Sequence, residues 1–338
     1  MDVRVTKAAA TNMSAGMQVT FVIPLFNGLP YTQECVRTLV ETLPAQLPYE
    51  IILVDDGSTD GTHDWLRTVR PPCHAIFNER NLGFAGACNR GAASARGHVL
   101  FFLNNDLVFL PGWFEPMREI VTRRADAALV GNVQRNARTG ALDHAGIWFD
   151  EKGKPAHVRH RPLFPRLRGW REVPAVTGAC FAIRRRVWEQ LGAFDDGFRN
   201  GGEDIDLAFR ARGRGYRNYV SLRSVVRHHV SASPGRKLRD EENSRRLAER
   251  WEPELALLAA PAWSRHYITT VWDRSPNFDD ALGRSALRQA IWPGSPSPIV
   301  LQGVRQALAV EVARWREILD TVPGSSAPLT RRPEKPAI

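Results

Sequence analysis

The chain has 338 residues, 43% of them apolar and 24% charged, with 26 Gly and 23 Pro, which suits one large globular domain with appended elements and excludes a fibrous or wholly disordered chain. The 46 Lys and Arg outnumber the 36 Asp and Glu, for a formal charge of +10. Nearly all the basic residues are Arg, which suits a phosphorylated substrate, nucleic acid or an anionic membrane surface without choosing among them. Cys35, Cys73, Cys88 and Cys180 show no paired spacing and are expected to be reduced core residues. No run of eighteen apolar residues and no signal pattern occurs, so a cytoplasmic protein is expected.

In chain order, residues 1–16 lack sustained periodicity and are expected to form a flexible extension. Val19-Thr20-Phe21-Val22-Ile23 reads as a buried strand ended by Pro24, and Val36, Leu39, Val40 and Leu43 follow at helical spacing. The pattern repeats with Ile51-Ile52-Leu53-Val54, a turn from Asp55 to Gly61, and a helix marked by Trp65, Leu66 and Val69. A third strand near Ala75 to Phe77 leads to a small-residue helix, Phe84 to Ala95, and Val99 to Leu103 is a fourth strand. Continuous apolar strands alternating with helices predict an α/β fold, a sheet covered on both faces with ligands at the carboxyl ends of its strands.

Beyond Pro111 the order is less regular and mixed sheet is expected, with strands at Ala127 to Val130, Ala145 to Phe149 and Ala179 to Ile183 and a helix opening near Glu203. After Pro234 the chain turns helical and charged, Leu247, Trp251, Leu255 and Leu258 sharing one apolar face. A break from Trp292 to Pro298 precedes a last helix, 300–319, and the tail after Pro323 is expected to be disordered.

Four polar clusters fall where this fold places ligands. Asp55-Asp56-Gly57-Ser58-Thr59-Asp60 follows the second strand; its carboxylates suit a base N–H or ribose hydroxyls, or else form an Asp/Gly turn with Asp60 capping the next helix. Asn104-Asn105-Asp106 follows the fourth strand, and Asp106 there suits a hard divalent ion that keeps positions open for diphosphate oxygens; an Asx turn is the bland reading. Glu203-Asp204 opens a helix behind Gly201-Gly202, where acidic groups favour the helix end but also suit deprotonation of an attacking hydroxyl. His228-His229 ends a strand, before a loop of Ser231, Ser233, Pro234 and Gly235 able to close over a diphosphate, so one His could complete a metal shell. Arg184-Arg185-Arg186 and Arg210 to Arg217 carry no nucleic-acid motif and are read as a solvated face, so no specific nucleic acid is expected. No Gly-x-Gly-x-x-Gly follows the first strand, which disfavours a dinucleotide oxidoreductase.

Together these segments resemble the family 2 glycosyltransferases with the GT-A fold, in particular their bacterial rhamnosyltransferase-like branch. The resemblance runs from Gln18 to Gly235 through Ile23-Pro24-Leu25-Phe26-Asn27, Val54 to Asp60, Asn81-Leu82-Gly83-Phe84-Ala85, Leu103-Asn104-Asn105-Asp106, Val176-Thr177-Gly178-Ala179-Cys180, Gly192-Ala193-Phe194-Asp195, Glu203 to Leu207 and His228-His229. It implies a Rossmann-like mixed sheet flanked by helices over 17–235, with a nucleotide-binding half, 17–110, and an acceptor half, 111–235. A helical extension, 236–322, and a tail, 323–338, would follow.

The resemblance further implies that Pro24, Phe26, Asn27, Asp55 and Asp56 bind the nucleotide, with Arg80, Asn81, Asn104 and Asn105 beside them. Asp106 would hold Mn²⁺ or Mg²⁺, with His228, or alternatively His229, as the distal ligand. Asn104 stands where the family's Asp-x-Asp motif has its first acid, which leaves the metal fewer charges. Asp204 would be the base, with Glu203 second. The expected activity is inverting transfer of a sugar, dTDP-rhamnose or a UDP-sugar among the donors, to a hydroxyl of a glycan, lipid-linked glycan or other acceptor in envelope or polysaccharide assembly. A non-catalytic nucleotide-sugar or glycan binder is the alternative. The carboxyl-terminal helices could shape the acceptor site, build an oligomer or lie peripherally on the inner membrane.

Overall fold

A computed structural model describes residues 17–158, 169–229 and 239–321 apart from 275, 278 and 293. The amino-terminal extension, the tail after Pro323 and the Ser231 to Gly235 loop lie outside the described residues. The first half contains β1 (Val19–Leu25), α1 (Leu29–Thr42), β2 (Tyr49–Asp55), α2 (Thr62–Leu66), β3 (Cys73–Phe77), α3 (Gly83–Ala93) and β4 (Val99–Leu103). It continues through β5 (Leu107–Phe109), α4 (Phe114–Arg123), β6 (Ala127–Asn136), β7 (Leu142–His144), β8 (Ile147–Phe149), β9 (Pro155–His157), β10 (Trp170–Val173), β11 (Cys180–Arg184), α5 (Arg185–Leu191), α6 (Glu203–Gly213) and β12 (Arg217–His228). Three helices complete it: α7 (Asp240–Thr270), α8 (Ala281–Ile291) and α9 (Pro298–Thr321).

The main sheet is mixed, as the resemblance implies, in the order β10-β12-β6-β11-β4-β1-β2-β3, with β5 on β12 and β7 on β6. β4, β1, β2 and β3 are mutually parallel, whereas β11 runs antiparallel between β4 and β6. Alternation along the strands separates two cores. Phe21, Ile23, Phe101 and Leu103 pack with Leu39, Leu66, Trp113 and Phe114 from α1, α2, α4 and the turn before α4, while Val22 and Phe102 pack toward α3 and α5. Each fully buried large apolar side chain contributes about 1.5–3 kcal/mol. Trp113 also donates its indole N–H to Thr42 Oγ1 at 3.0 Å, which keeps its one polar atom satisfied in the core. The small residues of α3 follow from close approach: a Cβ at Gly91 would come within 2.5 Å of Val22 Cγ1, so a larger residue would push the helix off the sheet. All four cysteines are free and buried, as expected from their spacing.

The carboxyl-terminal helices share the α3-side core through Leu247, Leu255, Ala259, Val300, Val304, Leu308 and Trp315. Pro253 and Pro261 sit inside α7, and Trp251, two residues before the first, leaves helical geometry at φ −122°. The kink brings the Trp251 indole N–H to the fully buried Asp206, at 2.9 Å from Oδ1. Arg210 Nε meets the other oxygen at 2.8 Å, and Arg250 lies 3.2 Å from Oδ1. This anchor is invisible to periodicity, although the Asp206–Arg210 spacing is that of a helical ion pair.

Two of the arginines read as solvated are structural. Arg184 is 9% exposed and donates to the carbonyls of Val121, Arg124, Ala125 and Ala127 at 2.6–3.0 Å, holding the end of α4 against the start of β6. Arg210, besides Asp206, donates to the carbonyls of Leu191 and Ala193. Arg186 is exposed. Unpaired helix-end carbonyls need donors, and a guanidinium supplies several in one plane. Arg184→Met is therefore expected to cost about 3 kcal/mol, since four carbonyls lose a charged donor. A urea midpoint equal to that of the wild type would refute the role.

Glu311 on α9 is held by Lys152 at 3.1 Å, Lys154 at 3.0 Å and Arg314 at 2.9 Å, tying the β8–β9 turn to the last helix. Burial pushes its carboxyl up, but the hydrogen bonds from Lys154, Lys152 and Arg314 outweigh burial and hold it at about 2. A depressed folded value contributes stability above the unfolded value, about 4.3, which is lost as pH falls toward 2. The contribution is at most about 3 kcal/mol, reduced by the partial exposure of the lysines. Glu311→Gln is expected to lower the melting temperature at pH 7 and to converge with wild type near pH 2; parallel melting curves across that range would overturn the assignment.

Candidate active site

The carboxyl ends of β1, β2 and β4 open onto a cavity of ≈ 390 Å³, within the usual range for small-molecule sites. Pro24, Leu25 and Phe26 line it from β1, Asp56 and Asn81 from the neighbouring loops, and Asn104, Asn105 and Asp106 from the end of β4. Gly83, Phe84 and Ala87 come from α3, Thr177, Gly178 and Ala179 from the run into β11, and Asn200, Gly201, Glu203 and Asp204 from the start of α6. Phe26 is 49% exposed, so an aromatic face stands open at the mouth.

Asp55 and Asp56 part company. Asp55 ends β2, accepts from Ser58 N at 2.9 Å and pairs with His63 Nδ1 at 3.0 Å, and it lies outside the cavity lining. Successive residues leaving a strand point to opposite sides, so only one of the two could face the ligand. Asp56 lines the cavity while accepting from Asn78 Nδ2 at 2.7 Å, Leu82 N at 2.8 Å and Gly83 N at 2.9 Å. It shapes the loop before α3 as well as presenting an oxygen edge. Asp60 serves two helix starts, accepting from Leu29 N at 3.0 Å and from Thr62 Oγ1 at 2.6 Å.

Asn27 adopts φ 58° and is not part of the lining; its N–H donates to Ser58 Oγ, and its side chain accepts from Thr59 N at 2.7 Å. Asn105 Nδ2 donates to the Asn27 carbonyl at 3.2 Å and to Thr32 Oγ1 at 2.9 Å, so these two asparagines join the β1, β2 and β4 loops. Asn81 donates to the Asp56 carbonyl at 3.0 Å, whereas Arg80 is exposed and outside the lining.

β5 leads directly out of Asp106 and pairs with the end of β12, His228 opposite Leu107, and His229 N donates to the Asp106 carbonyl at 3.0 Å. This pairing carries His228 Nε2 to 3.0 Å from Asp106 Oδ1. Both atoms are buried, and neither has a hydrogen-bond partner of good geometry among the described residues. An imidazole and a carboxylate facing each other in this way fit a shared divalent ion. His229 goes elsewhere: its Nε2 lies 3.4 Å from Glu34 and its ring 4.9 Å from Tyr31 on α1. Among the described residues no group of three or more His, Cys, Asp or Glu side chains is placed to hold an ion. Cys35, whose thiol donates to the Asn104 carbonyl at 3.5 Å, is pushed up by burial and then by the nearby Asp106 charge, and stays a neutral thiol.

Also in the lining, Asp204 Oδ2 accepts from Gly178 N at 2.7 Å and Oδ1 from Ile205 N at 2.8 Å, which fixes its carboxylate at the α6 N-terminus. Glu203 is 5% exposed and accepts from Gly201 N at 2.8 Å. Asn200, unassigned by the sequence reading, adopts φ 57° and accepts from Phe84 N at 3.0 Å. The Asn-Gly-Gly run before Glu203 is a turn signal that marks it.

A mixed sheet flanked by helices, with β4, β1, β2 and β3 parallel and a cavity at their carboxyl ends, is the GT-A fold. The chain belongs to glycosyl transferase family 2, whose family model matches residues 20–192. It is 31% identical over 231 residues to the O-antigen biosynthesis protein RfbC of Myxococcus xanthus, covering 64% of this chain and 18% of that one. It is 26% identical to polypeptide N-acetylgalactosaminyltransferase 5 of Caenorhabditis elegans, covering 75% of this chain and 43% of the relative. The chain thus spans less than half the length of these curated relatives. Among solved structures, GalNAc-T7 with UDP, GalNAc and Mn²⁺ has a TM-score of 0.58 at 18% identity, over 90% of this chain and 59% of the other. A mannosyltransferase of Pyrobaculum calidifontis with GDP-Man and Mn²⁺ has a TM-score of 0.52 at 19% identity, over 90% and 88%. These likenesses carry the fold. No helix among the described residues is long and apolar enough to cross a membrane.

Proposed function

We propose that the protein is an inverting, metal-dependent glycosyltransferase that moves a sugar from a nucleotide diphosphate donor, dTDP-rhamnose or a UDP-sugar, to an acceptor hydroxyl in the cytoplasm. The observation that carries the reading is one cavity lined both by Asp106, in contact with His228, and by Asp204. Phe26 and Pro24 supply an apolar platform for the base, and Asp56 an acceptor edge for its N–H. Asp106 and His228 would hold Mn²⁺ or Mg²⁺, which when bound neutralises charge on the departing diphosphate. Asp204 takes the acceptor proton as the hydroxyl oxygen bonds to the anomeric carbon and the bond from that carbon to the diphosphate oxygen breaks. One displacement inverts that carbon.

The acceptor is proposed to be an envelope glycan or its lipid-linked precursor. Two features favour work at an anionic membrane surface: residues 281–310 contain no acid, and α8 ends in exposed Ile291 and Trp292 one and two turns beyond Arg288 and Arg284. A thermal-shift screen against UDP, dTDP and GDP, each with and without Mn²⁺ or Mg²⁺, tests the donor site. A base-selective shift that grows with metal is expected, because a ligand bound to the native state raises its stability. No shift with any of them would move the chain to a non-catalytic role.

A further inference from the structure

The loop between α5 and α6 forms one wall of the cavity, and what holds it is α7. Asn243, in the first turn of α7 and 6% exposed, donates from Nδ2 to the Arg199 carbonyl at 2.9 Å and accepts from Arg199 N at 3.3 Å. Its side-chain amide thereby satisfies both backbone groups of one residue, as a neighbouring strand would. On either side the grip is reinforced. Arg246 lies over the buried Phe198 ring, 5.0 Å from its centre, and Arg246 and Arg250 reach Asp195 at 3.2 Å and 2.6 Å. Gly202, at φ +91°, already lies 2.9 Å from Phe198 at a notional Cβ, with Asn243 Cβ next to it, so the turn leading to Glu203 is packed directly on this clamp.

The residue after Arg199 is Asn200, held in the left-handed region with its Oδ1 on the Phe84 N–H and its side chain at the cavity. Left-handed backbone in a non-glycine residue persists where the surroundings over-determine it, and Arg199, gripped on both its N–H and its carbonyl, is the adjacent fixed point. We propose that Asn243 is a positioning residue of the transferase: through Arg199 it sets Asn200 across the cavity onto α3 and fixes the Gly201-Gly202 turn from which Asp204 is presented. The helical extension is on this view part of the apparatus that shapes the sugar end of the donor site. The apolar platform at Pro24 and Phe26 lies on another element, β1 and the residue after it, whereas Asp56 adjoins the Asn200–Phe84 contact by accepting from Gly83 N, next to Phe84. The inference rests on the transferase reading for its catalytic consequence, but the positional link itself does not.

The test compares full-length wild type, Asn243→Ala and Asn243→Asp. Asp retains an acceptor for Arg199 N and suits a first helical turn, so it serves as the conservative variant. The donor probe is whichever of UDP-glucose, UDP-N-acetylglucosamine, dTDP-rhamnose and GDP-mannose releases nucleoside diphosphate fastest with wild type, water serving as acceptor. Asn243→Ala is expected to lower kcat/KM for that donor about tenfold, the scale of one lost positioning contact, with the affinity for the free nucleoside diphosphate unchanged. Asn243→Asp is expected to recover part of the loss. In parallel, amide exchange at Phe84, one step removed from the substitution, is expected to accelerate in Asn243→Ala while β1 and β4 stay protected.

Equal losses in nucleoside diphosphate binding and in turnover, or unchanged exchange at Phe84, would overturn the positioning role. Faster Phe84 exchange in a chain whose wild type releases no nucleoside diphosphate would support the link from Asn243 to Asn200 while refuting the transferase reading.

Discussion

Asp204→Asn is expected to lower sugar transfer by about 10³-fold, within the span attributed to a positioned general base, while nucleoside diphosphate affinity stays near that of wild type. The amide keeps the shape of the carboxylate but cannot take a proton. The base platform proposed above uses Pro24, Phe26 and Asp56, which come from other elements of the lining, so binding of the leaving group should not sense the change. Asn has one acceptor oxygen where Asp204 has two, and these receive Gly178 N and Ile205 N. One of the two donors therefore loses its partner, and a fall of a few degrees in melting temperature accompanies the substitution. Initial rates and calorimetric nucleotide binding on the same preparation separate chemistry from folding. Turnover equal to wild type would exclude Asp204 as the base. Loss confined to Glu203→Gln would pass the role to Glu203, although that side chain is buried and engaged with Gly201 N.

How far the site was legible depended on whether its geometry is local. Asn104-Asn105-Asp106 directly follows Phe101-Phe102-Leu103, so a buried strand and its polar edge are read from one segment. That β1, β2, β3 and β4 run parallel follows in the same way from strand–helix alternation, whereas their order in the sheet does not. Local reading names Asp55 and Asp56 together, and the strand's two-residue period then separates them, Asp55 engaging Ser58 and His63 while Asp56 lines the cavity. Long-range features had no local signature. β5 is three residues long, yet its pairing with the end of β12 brings His228 to Asp106 and sends His229 toward α1. The Arg184 run reads as a charged surface because its partners are backbone carbonyls at the end of α4, which no charge pattern can reveal. Asp206 is similar: its partner Trp251 lies 45 residues away, on a helix whose kink depends on Pro253.

Asp106→Ala and His228→Ala are each expected to reduce transfer by at least about a hundredfold, the cost of losing one group that stabilises charge on a leaving oxygen, and to abolish the metal-dependent part of the nucleoside diphosphate thermal shift. The metal-independent part, from the base platform, should survive. His229→Ala serves as the contrast: that ring contacts Glu34 and Tyr31, and its loss should leave metal dependence intact. Because Asp106 and His228 are the two side chains proposed, among the described residues, to hold the ion, removing either should leave little for the other to do. The double variant Asp106→Ala/His228→Ala is therefore expected to be no worse than the more impaired single, a non-additivity that marks residues acting as a unit. Fully additive losses would mean that the two side chains act separately, Asp106 by shaping the β4 edge and His228 by closing β12 onto β5. Undiminished transfer by wild type in excess chelator would remove the metal from the mechanism and leave the 3.0 Å Asp106–His228 contact as a structural pair.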